Sequence, residues 1–177
     1  MAKTGFATLP EGIAPEQARL PAQRRRPRLL SLIVLAALMI AALAGLFGGG
    51  KAPTLIARAP QATLAVHTNR VLRNGVFFET RIGITAKADL ADATLLLPPG
   101  LWRDMTINST EPQAASEDFK DGAFRFHYGK LAAGDALEIK IDGQINPPLF
   151  RGTRGYVALA DGDRRLVSIP LSITVLP

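Results

Sequence analysis

The sequence predicts an all-β domain, an antiparallel sandwich of about seven or eight strands, preceded by one transmembrane helix. Three observations carry this. Apolar and polar residues alternate in several segments after Gln61, turn-forming residues punctuate those segments at short intervals, and a charge-free apolar run covers Leu29 to Phe47.

The strands rest on period-two patterning, which marks a pleated strand with one buried face. In GVFFETRIGITA, Val76, Phe78, Thr80, Ile82 and Ile84 share one face. In AFRFHYG, Phe124, Phe126 and Tyr128 alternate with Arg125 and His127, and in DALEIKIDGQI, Leu137, Ile139, Ile141 and Ile145 alternate with charged or polar neighbours. Further strands are expected at 62–68, 92–97, 103–109, 154–160 and 165–176. Asn74-Gly75, Pro98-Pro99-Gly100, Asp121-Gly122, Gly134-Asp135 and Asp161-Gly162-Asp163 supply the turns between them. With no helical period among them, these strands make a sandwich. Pro170 places its part of the last strand at an edge or at a switch between sheets.

The apolar run is roughly 28 Å long at about 1.5 Å per helical residue, close to a bilayer's hydrocarbon thickness of about 30 Å. It has no polar stripe of the kind a soluble core helix shows. It reads as an anchor, and the competing reading is a secretory signal cleaved after Ala42-Leu43-Ala44. Within it, Ala37, Ala41 and Gly45 recur every fourth residue, the spacing that lets helices approach closely; the abundance of alanine explains the same pattern without any such contact.

The flanks divide the chain. Residues 1–28 hold four prolines and read as a disordered basic cytoplasmic tail, 48–60 as a flexible stalk, and 61–177 as the exported domain. Net charge is +6, but the excess is gathered in Arg24, Arg25, Arg26 and Arg28 beside the apolar run. Such a cluster sets orientation and attracts anionic lipid rather than nucleic acid. It places the N-terminus in the cytoplasm and the domain outside.

LLLPPGLW and FRFHYGKLAAGDALEIKIDGQI carry a likeness. Residues 95–145 resemble the immunoglobulin-like conserved-repeat domains of bacterial surface and envelope proteins, through Leu97, Pro98, Gly100 and Leu101 and then Gly129, Leu131 and Gly134. The resemblance implies an immunoglobulin-like fold in a bacterial envelope protein; taken with the anchor and its arginines, the expectation is an inner membrane protein with a periplasmic or extracellular domain. It implies no activity. The early register, through KADLADA, departs from the family pattern.

Chemistry is sparsely marked. There is no cysteine, which removes thiolate catalysis, disulfides and Cys-based zinc sites. His67 and His127 both fall opposite the apolar faces of their strands, without metal-ligand spacing. No G-x-S-x-G elbow or phosphate loop occurs, and Asp161-Gly162-Asp163 reads as a hairpin turn. No catalytic, cofactor or metal residue is expected. Trp102, the lone tryptophan, either anchors a partner or closes one end of the sandwich. The expectation is a non-catalytic envelope protein working through protein–protein contact, as an accessory subunit or assembly factor. The alternative is an exported module binding glycan, peptidoglycan or metal.

Overall fold

The computed structural model describes residues 29–48, 50–149 and 151–177. Arg24, Arg25, Arg26 and Arg28, with the rest of the expected tail, lie outside the described residues.

The apolar run is helical over Leu29–Leu43 (α1), and none of the helix's residues is buried. The helix stops short of Phe47 because Gly45 turns the backbone to φ 76°. The Leu46 N–H then reaches back to the Ala41 carbonyl at 3.0 Å and the Gly45 N–H to Ala42 at 2.9 Å. This closure satisfies carbonyls that would otherwise be orphaned at the helix end, and it favours glycine, which has no Cβ to resist positive φ. No described helix is long and apolar enough to cross a membrane.

Eleven described strands form two sheets. The first has the order β1 (Thr54–Arg58), β2 (Ala62–Thr68), β4 (Phe77–Ala86), β9 (Ala136–Ile145) and β6 (Met105–Glu111). The second runs β3 (Val71–Arg73), β11 (Arg164–Leu176), β10 (Thr153–Asp161), β5 (Ala93–Leu97), β8 (Ala123–His127) and β7 (Ser116–Lys120). All pairings are antiparallel except that of β3 with β11.

Burial follows the pleat in β4 and β9. Phe78, Thr80, Ile82 and Ile84 point inward, as do Ile139, Ile141 and Ile145. Each fully buried branched side chain contributes about 1.5–3 kcal/mol relative to exposure. Thr80 is tolerated in this layer because its hydroxyl meets that of Thr68 at 2.8 Å. Pro170 sits where β11 has β10 on one side only, since β3 pairs with Thr174 to Leu176 alone.

Several elements differ from expectation. Thr54–Arg58, inside the expected flexible stalk, pairs along its whole length with β2, and Leu55 and Ala57 pack on the core. Ser116–Lys120 is a strand although its composition, SEDFK, reads as a loop: the two-residue turn at Asp121 (φ 53°) and Gly122 (φ 77°) folds it directly onto β8. Pro98-Pro99-Gly100, expected as a turn between strands, instead opens a single helical turn, α2 (Pro99–Trp102), which delays the next strand to Met105.

Candidate functional site

The strand β8 has two chemically different faces. On the inward face, Phe124 and Phe126 join Leu97 and Trp102, and across the sandwich Ile107 and Ile141, to line a groove of about 330 Å³. Thr110 and Glu117 are its polar members. The groove lies on the side of the sandwich where each sheet ends, at β6 and at β7. Apolar side chains therefore remain in water there: Phe119 is 58% exposed, Phe124 44% and Ile107 41%. Phe119 and Phe124 are paired across the strands and meet edge-on at 5.1 Å, a favourable aromatic geometry.

Trp102 forms part of the inner wall. Its ring stacks on Phe78 at 6.0 Å with an interplanar angle of 28°. Phe78 in turn lies on Gly143 of β9, where a Cβ would stand 2.6 Å from the ring and 2.8 Å from the Thr106 carbonyl. The indole Nε1 is buried and makes no hydrogen bond among the described residues. Trp102 thus packs against the core and also borders the groove. Tyr128, two residues beyond Phe126, is half-buried with its hydroxyl also unpartnered among the described residues. Burial, helped by the charge of Glu117, pushes its phenol up to about 12.

The opposite face of β8 carries a ladder of charges. Arg125 and His127, expected to face solvent, are covered: only 9% of the Arg125 side chain and 16% of the His127 side chain are exposed. His127 Nδ1 lies 2.5 Å from Asp92 Oδ2, and its Nε2 lies 3.1 Å from Asp118 Oδ2. Arg125 donates to Asp163 at 2.6 Å and to the Gly162 carbonyl at 3.1 Å, with Asp118 at 3.6 Å. Lys120 reaches Asp163 at 3.0 Å. The result is an alternation, Asp92, His127, Asp118, Arg125, Asp163, Lys120, which ties β7 and the β10–β11 turn to β8. It is charge-balanced when His127 is protonated. The bond to Asp92, opposed by burial and aided by Asp118, raises the His127 pKa above its ordinary value. Burial works to raise the Asp92 carboxyl, but its bonds to His127, Thr94 and the Gly129 amide prevail and hold it below the usual range.

This arrangement is suited to holding strands rather than to chemistry. Both imidazole nitrogens face carboxylates, so neither is free as a base or a ligand. Among the described residues no group of three His, Asp or Glu side chains is placed to hold a metal ion. His67 accompanies Thr54 at 3.0 Å on the outer face of the first sheet. Ala37 and Ala41 lie on α1, Ala37 exposed and Ala41 half-buried, whereas Gly45 stands beyond the helix end and does not continue their stripe. The groove depends on β7, whose charged composition concealed it in the sequence; the aromatic alternation of β8 was the one visible signal.

No family model matches the chain, and no curated protein sequence matches it. Among solved structures, the chain is similar to the chitin-binding domain of a chitinase from the hyperthermophile Pyrococcus furiosus, at 13% identity and a TM-score of 0.37, over 62% of this chain and 96% of that one.

Proposed function

We propose that the chain is a non-catalytic envelope protein whose immunoglobulin-like sandwich works in protein–protein contact, as an accessory subunit or assembly factor held at a membrane. The observation that carries this reading is the apolar groove between β6 and β7, each the last strand of its sheet among the described residues, since exposed aromatic side chains beside such edges suit the docking of another chain. The membrane part rests on α1, an apolar helix that buries none of its side chains. Its reach of about 22 Å is short of a hydrocarbon core, a mismatch that local thinning and flanking arginines accommodate. On this reading the N-terminus is cytoplasmic, the arginine cluster meets anionic lipid, and the sandwich is periplasmic or extracellular.

Affinity capture of the tagged full chain from detergent-solubilised bacterial membranes tests the proposal. A membrane protein recovered in stoichiometric amount is expected. Retention on cell-wall material without such a partner would overturn it in favour of a glycan- or peptidoglycan-binding module, a reading that the clustering of Trp102, Phe124 and Phe126 also favours.

A further inference from the structure

We infer that a groove between α2 and the start of β10 is a binding site for a phosphate group, carried by a small phosphorylated molecule or by a lipid head group. It shares no lining residue with the aromatic groove and does not depend on the contact reading above. The first observation is topological. β5 pairs with β10 only over residues 158–161, so residues 153–157 have no strand on that side and α2 packs there instead. A Cβ at Gly155 would stand 2.7 Å from that of Leu101, and one at Gly100 would stand 3.5 Å from the Arg154 carbonyl. Beside this contact a groove of about 410 Å³ is lined by Gly100, Arg103, Arg151, Thr153, Arg154 and Ser172, among others. Gly152 (φ 99°) lies so close to β11 that any side chain there would overlap the Ile173 carbonyl, which fixes the backbone next to Arg151.

The second observation is charge. Arg103, Arg151 and Arg154 line the groove, and no carboxylate among the described residues does. All three arginines are exposed. Arg151 and Arg154 have no ion-pair partner among the described residues, and Arg103 has only Asp104, at 3.4 Å. Cations gathered without a counter-ion repel one another, and an anion bound among them turns repulsion into attraction. The third observation is a hydroxyl. Thr153 is 5% exposed, and its Oγ1 is buried and unpartnered among the described residues, a costly state for a polar group. Phosphate suits this set of donors: guanidinium groups engage its oxygens in pairs, and a hydroxyl donates to one that remains. A carboxylate offers two oxygens in one plane and engages fewer of the same donors at once.

The test titrates the full chain in maltoside micelles, by calorimetry at constant ionic strength, with inorganic phosphate, dihexanoyl phosphatidylglycerol and acetate as probes. At least one of the two phosphates is expected to bind saturably, roughly tenfold or more tighter than acetate, with slowed amide exchange in residues 99–104 and 151–154. Tighter binding of the phosphatidylglycerol assigns the site to a lipid head group, and tighter binding of inorganic phosphate to a soluble ligand. Arg151→Gln and Arg154→Gln should each weaken the tighter probe about tenfold, and so should Thr153→Val. Without probe, Thr153→Val should melt no lower than the parent chain, because the hydroxyl it removes has no partner to lose. Arg58→Gln, an exposed arginine on β1, should change nothing. Acetate binding as tightly as both phosphates, no saturable binding of either phosphate, or equal losses in Arg58→Gln and Arg154→Gln would overturn the inference.

Discussion

The imidazole of His127 is held between two carboxylates from different elements, Asp92 ahead of β5 at 2.5 Å and Asp118 of β7 at 3.1 Å. A histidine so placed links the titration of one side chain to the attachment of an edge strand.

Stability should therefore depend on pH in a defined sense. Because the folded-state pKa of His127 is raised, its contribution is complete below the ordinary histidine value of about 6.5 and is lost as pH rises through the higher folded value. Asp92, with its pKa lowered, contributes above the ordinary aspartate value and loses that contribution as pH falls through its folded value. Denaturant melts across pH should show a plateau between these limits. His127→Gln should flatten the alkaline flank and cost about 1–3 kcal/mol in the plateau. An unchanged alkaline flank in the variant would assign that slope to another group.

The faces of β8 and β9 should separate by mutation. Ile139 is fully buried, and Ile139→Ala should cost about 2–5 kcal/mol. Phe126 is half-buried at the groove, so its truncation should fall at or below the lower end of that range. Arg125→Ala, though it removes a charged residue, should cost about 1–3 kcal/mol through loss of the bonds to Asp163 and Gly162. Lys140→Ala, which removes only solvent-screened ion pairs with Glu79 and Asp142, should be the mildest of the four. Urea melts of the four variants give the order directly.

Gly143→Ala should be more damaging than a surface glycine replacement. The new methyl would meet both the Phe78 ring and the Thr106 carbonyl, and such overpacking costs about 1–3 kcal/mol. Because Phe78 stacks on Trp102, the emission maximum of Trp102 should shift as well. Gly122→Ala at the β7–β8 turn offers a contrast: no atom crowds its Cβ, and only the φ of 77° resists it.

The apolar helix should remain part of the mature chain. Intact mass of the protein purified from membranes is expected to include residues 29–43, with the sandwich accessible to protease in spheroplasts. A mature chain beginning at Gly45 and released by osmotic shock would make Leu29 to Ala44 a cleaved signal.

Where one strand face is buried and the other wet, local pattern suffices to read the strand. β4 and β9 were legible for that reason: Ile82, Ile84, Ile139 and Ile141 alternate with polar residues and point inward as their spacing requires. The apolar helix was equally plain, except for its end, which depends on the backbone angle of Gly45. Elements at the margins were not legible. SEDFK has little apolar content and becomes β7 only because Asp121-Gly122 returns it alongside β8. Arg125 and His127 alternate like surface residues, yet carboxylates from the β4–β5 connection, β7 and the β10–β11 turn cover them. Those partners lie between 7 and 38 residues away along the chain. Burial of a charge is thus set by what long-range pairing brings over it, and the groove, likewise, exists only where two sheets end beside each other. Period-two patterning reports which way a side chain points; only the tertiary fold decides what it meets there.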